Sequence, residues 1–199
     1  MLAQDAFNLR GERSLSNFDQ KHRLNLDYNV ELPFGTNKLL LAEPSLLKTL
    51  FGDWQLNGNW NISSGNPATA RVLGSYTDVN RGSSGSLRAN ATGLPVEISD
   101  PGIPQWFNTA AFTLPAPGQF GNVGRNTIRA PGTFAGNLSL NKAFMFADGR
   151  SIDVRAQASN VLNVPQLRGI DTNVNSPSFG RVTSVGSMRK IQIIARFNF

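Results

Sequence analysis

The chain has 199 residues, 40% of them apolar and only 16% charged, with a formal net charge of +6, one histidine and no cysteine. Soluble globular proteins carry about 25% charged residues, so something other than surface charge keeps this chain dispersed, and the lack of cysteine excludes a disulfide scaffold, a thiolate metal site and a cysteine nucleophile. Its lysines and arginines form no basic run with interleaved aromatics, which argues against nucleic acid as a partner, and no segment reaches the ~18–20 consecutive apolar residues of a transmembrane helix.

The N-terminal stretch MLAQDAFNLRGERSL has neither the apolar core nor the basic lead-in of a signal peptide. The expectation is therefore a cytoplasmic protein or the tail of something longer. HRLNLDYNVEL then sets Leu24, Leu26, Tyr28, Val30 and Leu32 against Arg23, Asn25, Asp27, Asn29 and Glu31. Such alternation predicts a two-faced strand near 22–32 and rules out an amphipathic helix. PFG ends it, because Pro33 cannot donate to a ladder and Gly35 suits a turn. EPSLLKTLFG, with Pro44 near its start and Gly52 just past its end, predicts a helix of one or two turns that covers a sheet edge or lies at an interface.

WQLNGNWNIS predicts a second strand near 53–64, with Trp54, Leu56, Gly58, Trp60 and Ile62 against Gln55, Asn57, Asn59, Asn61 and Ser63. The long loop 65–135 follows and holds seven of the eleven prolines. NLSLNKAFMF predicts a strand near 136–146 and SIDVRAQAS one near 150–160, joined by ADGR, whose Asp148-Gly149 pair suits a tight antiparallel hairpin. RKIQIIARFNF predicts the last, near 187–199: Ile191, Ile193, Ala195, Phe197 and Phe199 face one side, and Lys190, Gln192, Arg196 and Asn198 the other.

The polar sides of these strands decide between two architectures. In a soluble sandwich they meet solvent and are rich in Lys, Glu and Thr; here Asn, Gln and Ser dominate, which suits the wall of a water-filled lumen. A strand of about 11 residues, rising ~3.3 Å each and tilted ~40°, spans roughly 28 Å, close to the ~25 Å apolar band of an outer-membrane barrel. Trp54, Tyr28, Phe34, Phe144, Phe146, Phe197 and Phe199 are predicted to crowd strand ends as an interfacial girdle. Short turns inside and long loops outside would place the C-terminus in the periplasm. Lys142 falls on the lipid side, where lysine costs ~2–4 kcal/mol at the midplane and ~0–1 kcal/mol near an interface; snorkelling to the headgroups or a bulge that turns it inward would relieve this. The fold class expected is all-β, an antiparallel up-and-down meander of about five long strands with long external loops. The competing class is a soluble secreted β-sandwich that binds carbohydrate.

FDQKHRLNLDYNVELPFG, WQLNGNWNISSGNP, WFNTAAFTLPAPGQFGNVGRNTIRAPG, SNVLNVPQL, NVNSPSFGRVTS and the closing RKIQIIARFNF resemble, in that order, the C-terminal part of Oar-like TonB-dependent outer-membrane receptors. The resemblance covers about Asn17 to Phe199. It implies a 22-stranded barrel with an N-terminal plug that imports a bulky ligand when TonB pulls on an N-terminal box. Five strands cannot enclose a lumen, so the whole chain, 1–199, is expected to be a partial barrel domain of the Gram-negative outer membrane, a fragment or truncated reading frame that transports nothing alone. By resemblance, Ile191, Ile193, Ala195, Phe197 and Phe199 are the signal read by the barrel-assembly machinery. The partners implied are outer-membrane lipid, that machinery, an unknown ligand, and TonB through the missing N-terminal region.

No catalytic residue, cofactor or metal is expected. His22 has no second histidine to share a metal, Asp78, Asp100 and Asp171 form no dense acidic loop, and no nucleophile elbow is present. GQFGNVGRN has the composition of a phosphate loop but follows no strand and opens no helix, and reads as a flexible outer loop. Trp106, Phe107, Phe112 and Phe120, with Arg71, Arg81, Arg88 and Arg125 around them, are the candidate ligand-contact loop, against simple packing of that loop on itself.

Overall fold

The computed structural model describes residues 3–73, 87–146 and 149–199. In chain order its elements are β1 (Arg23–Glu31), α1 (Leu46–Phe51), β2 (Gln55–Ser63), β3 (Pro67–Ala68), β4 (Asn90–Ala91), β5 (Phe112–Thr113), β6 (Ile128–Arg129), β7 (Thr133–Met145), β8 (Ser151–Ser159), β9 (Leu167–Ile170), β10 (Val182–Val185) and β11 (Lys190–Asn198). Five of these form one sheet in the order β1-β2-β7-β8-β11, which is chain order with the short strands left out. The fold is all-β and antiparallel, as the alternation required.

The chain divides into two compact units. One comprises Arg23–Ile62, Phe134–Gln166 and Ser187–Phe199, and so carries the five long strands and α1. Its register is uninterrupted: Leu138, Leu140, Lys142 and Phe144 of β7 stand opposite Ala158, Ala156, Val154 and Ile152 of β8, which stand opposite Ile191, Ile193, Ala195 and Phe197 of β11. Phe146 N–H donates to Arg150 O at 2.8 Å and closes the β7–β8 hairpin; Asp148 of the predicted turn lies outside the described residues. After β8 the chain turns at SNVLNVPQ around two buried amides. Asn160 accepts from Val164 N–H and donates to Val164 O and Ser187 O, while Gln166 bonds both Phe134 N–H and Phe134 O. A side-chain amide carries a donor and an acceptor, so Gln166 pairs with β7 as a further backbone unit would.

The other unit comprises Met1–His22, Ser63–Thr133 and Leu167–Gly186. The segment predicted as one long loop is thus folded, and the buried apolar cluster lies in it: Ala70, Ala89, Phe107, Ala111, Phe112, Val123 and Ile128. β3 pairs with β6, β4 with β5 and β9 with β10. GQFGNVGRN is wound into that cluster through Val123 and is packed, not the flexible segment expected. Gly121 brings the backbone so close to Arg88 O and Ala89 O that a Cβ there would meet them at 2.0 and 2.3 Å, and Val123 N–H bonds Ala89 O at 3.0 Å. A close backbone approach of this kind is open only to glycine, which is why a composition that reads as flexible here builds a core. RGSSGS lies outside the described residues.

Candidate membrane interface

The sheet has two faces of opposite chemistry. On one, carboxylates and a guanidinium are tied into a ladder of amides: Asn59 donates to Asp27, Arg155 Nε to Asn141 Oδ1 at 2.8 Å, Gln157 to Gln192 at 3.0 Å, and Asn198 to Asp153 at 2.9 Å. Asn and Gln each donate and accept, so they can match either charge or one another across strands. A concavity of about 760 Å³ follows this face, with residues of all five strands in its wall.

The opposite face is apolar and open. Leu24, Leu26 and Val30 of β1 are about half exposed, and Ile191, Ile193 and Phe197 of β11 are 69%, 74% and 55% exposed. Nothing from this face enters the buried cluster, among the described residues. Two aromatic rings are seated in gaps left by glycines on neighbouring strands. A Cβ on Gly58 would stand 2.2 Å from Tyr28 Cζ, and one on Gly136 2.3 Å from Trp60 Cζ3. Tyr28 is therefore a mid-strand residue lying across β2, and does not belong to an aromatic girdle at the strand end. Others of the predicted girdle do gather where α1, the β7–β8 hairpin and the C-terminus lie: Trp54 meets Phe144 edge-on at 6.5 Å, and Phe197 stacks on Phe199 at 6.0 Å.

A face this apolar and this continuous cannot stay in water. A sandwich would cover it with a second sheet, but the remaining sheets among the described residues are two-stranded and belong to the other unit. Alternate apolar and polar faces on long antiparallel strands are what lipid on one side and water on the other demand. Residues 1–192 match the outer membrane beta barrel domain family. The chain belongs to that family. No curated protein and no solved structure gives a match. Membership in the outer-membrane β-barrel family places the protein in the outer membrane.

Within this barrel wall Lys142 resolves differently from either expectation. It stays on the apolar face, in regular register with Val154, yet is only 7% exposed. Its Nζ donates to Thr49 O at 2.6 Å and Gly52 O at 2.5 Å, with Lys48 O at 3.5 Å, and lies 4.8 Å from the Phe144 ring centroid. These carbonyls stand at the C-terminal end of α1, where a cation is favoured, and Lys48 O also accepts from Gly52 N–H. Neither a bulge nor snorkelling is needed, because the helix brings acceptors to the lysine. α1 runs between the predicted Pro44 and Gly52, and its start is capped by Ser45, which the sequence reading did not name: Ser45 Oγ accepts from Lys48 N–H at 3.1 Å, and Gly52 N–H closes the last turn on Lys48 O at 2.8 Å.

Three of the four candidate ligand-contact aromatics meet at the buried cluster. Phe107 and Phe112 are core residues, 2% and 5% exposed, packed edge-on against each other at 5.7 Å and against Phe179 at 5.2 and 6.1 Å. Trp106 packs on the same cluster and donates its indole N–H to Arg129 O at 2.7 Å, and Phe120 is half-buried. Phe107, Phe112 and Trp106 hold the loop together, so the packing alternative describes these three better than a shared contact surface. Arg88 and Arg125 turn to a residue with no assigned role in the sequence reading, Glu12, whose carboxylate meets both at 3.3 Å. Burial lowers the Arg88 pKa, Glu12 opposes that shift and Arg125 adds to it. Arg81 and Asp78 lie outside the described residues. His22 sits exposed just before β1, its backbone bonded to Ser64, and Asp100 is exposed. Asp171 accepts from Ser176, Ser178 and Asn173, the last through both N–H and Nδ2, so its carboxylate is spent on the loop itself.

Proposed function

We propose that the chain is the C-terminal part of the barrel of an Oar-like TonB-dependent receptor, which takes up a bulky ligand across the outer membrane. In this reading the C-terminus is periplasmic, and the connections before β1, between β2 and β7 and between β8 and β11 are extracellular. The observation that carries it is the five-stranded sheet with an amide-lined concave side and an open apolar side. Supporting it are the ordered motifs from FDQKHRLNLDYNVELPFG to RKIQIIARFNF, and the contrast in length between the connections at the two strand ends. The reading assigns no catalytic role, cofactor or metal. TonB would act through a region N-terminal to this one, and the barrel-assembly machinery would read the exposed side of β11.

The test is removal of Phe199 from the protein that carries this chain. Phe199 is fully exposed and Phe197 is stacked beside it, so deletion disturbs little inside the sheet. A fall in the amount of protein reaching the cell surface, with ligand affinity per surface molecule unchanged, is the expected result. Unchanged surface levels would refute the assembly role of the C-terminal residues.

A further inference from the structure

α1 is built unlike a helix meant for water. Of its six residues, Leu46, Leu47, Leu50 and Phe51 are 83%, 58%, 55% and 60% exposed, while Lys48 turns back to bond Ala42 O. These four fall at i, i+1, i+4 and i+5, which is one side of a helix. Beside them lies an apolar hollow of about 530 Å³, walled by Leu47, Leu50, Phe51, Trp54 and Leu140 among others. The hollow is continuous with the lipid face of the sheet, since Leu140 belongs to the row that contains Leu138, Lys142 and Phe144.

Six residues are too few for an independent amphipathic helix, so α1 has to be held in place. Two side chains do this from the sheet side: Lys142, through the three carbonyls at the helix end, and Trp54, whose indole N–H donates to Leu50 O at 3.0 Å. Trp and Lys are the residue types that sit at a bilayer's headgroup level.

We propose that α1 is an interfacial foothold: its leucines, Phe51 and the adjoining hollow take up lipid acyl chains at the headgroup boundary, and Lys142 is the positioning residue that fixes the helix to the barrel wall. The inference rests on the membrane reading of the sheet. Its occupant is lipid because the surface continues an apolar face that belongs to lipid, and because a buried ammonium and an indole N–H mark the level where chains give way to headgroups. Interfacial helices sink their apolar side ~5–10 Å into this boundary.

The absence of cysteine allows clean single-cysteine labelling of the full chain. Leu46→Cys on α1, Ile193→Cys at the middle of the lipid face and Leu94→Cys in the loop unit are each labelled with an environment-sensitive fluorophore. The chains are refolded into vesicles of phosphatidylethanolamine and phosphatidylglycerol that carry nitroxide quenchers either near the headgroup or deep in the chain. The expected result is severalfold stronger quenching of the label at 46 by the shallow quencher than by the deep one, the reverse at 193, and neither at 94. Quenching at 193 but none at 46 overturns the foothold while leaving the barrel reading intact; a blue-shifted, unquenched label at 46 means that protein covers the helix and also overturns it. No quenching at either position overturns the membrane reading itself. Adding Lys142→Met should abolish the shallow preference at 46 without altering 193, and an unchanged preference removes the positioning role.

Discussion

The seating of Trp60 on Gly136 makes a quantitative prediction. An added methyl at residue 136 would stand 2.3, 2.4 and 2.8 Å from Trp60 Cζ3, Cε3 and Cη2, whereas ordinary contact begins at 3.4 Å. The ring must retreat by more than an ångström. Overpacking of this kind costs ~1–3 kcal/mol, and alanine recovers ~0.5–1 kcal/mol relative to glycine in a strand. Trp60 is only half-buried and can lift toward lipid, although Phe134 at 6.3 Å restrains it, so the lower part of that range applies. Gly136→Ala should therefore destabilise the sheet by about 1 kcal/mol, roughly fivefold in the unfolding equilibrium. Urea titration of the chain in detergent micelles, followed by far-ultraviolet circular dichroism, reads this directly. The decisive measurement is the same substitution in a Trp60→Leu background. With the ring gone the methyl has room, and the cost should vanish or change sign, giving a coupling of about 1–2 kcal/mol in the double-mutant cycle. An equal cost in both backgrounds would refute the seating of the ring on Gly136.

Two further predictions concern the loop unit. Glu12→Gln leaves Arg88 and Arg125 facing each other, when their side chains are only 6% and 20% exposed and both Nε atoms already lack a partner; removing one partner of a buried pair costs about 3 kcal/mol. Amide exchange at Ala89 and Val123, whose N–H groups bond Ala70 O and Ala89 O, should accelerate about 100-fold, and rates within about twofold of the parent would dismiss the role of Glu12. For Asp171, burial alone would raise the carboxyl pKa, but the bonds from Ser176, Ser178 and Asn173 outweigh it and hold it below the ordinary 3.8. A depressed folded-state pKa stabilises fully above the ordinary value and is lost as pH falls through the depressed one. The melting-temperature advantage of the parent over Asp171→Asn should thus be constant from neutral pH down to the region of 3.8 and shrink below it; an advantage that grows on acidification contradicts the assignment.

Much of the interface was legible because its cause is local. Successive side chains on an extended backbone must alternate, so the faces of Leu24, Ile152 or Ile193 follow from sequence position alone. The same locality made α1 readable from Pro44 and Gly52. The limits appear where partners lie far apart in the chain. Tyr28 over Gly58 and Trp60 over Gly136 depend on strand register, which alternation leaves open to any even shift. Lys142 looked like a liability on the lipid side, since its acceptors lie 90 to 94 residues earlier at the end of a helix.

The loop region shows the same division. Composition marked 65–135 as proline-rich and glycine-rich, and its aromatics as candidates for ligand contact. That it folds is decided by pairings such as Glu12 with Arg125, 113 residues apart, and by Phe179 closing on Phe107 and Phe112. The sequence by itself determined an all-β chain of two-faced strands, because that pattern is written residue by residue in the backbone's period of two. Tertiary structure alone decided where the dry core lies, in the connections, and left the sheet's apolar face open.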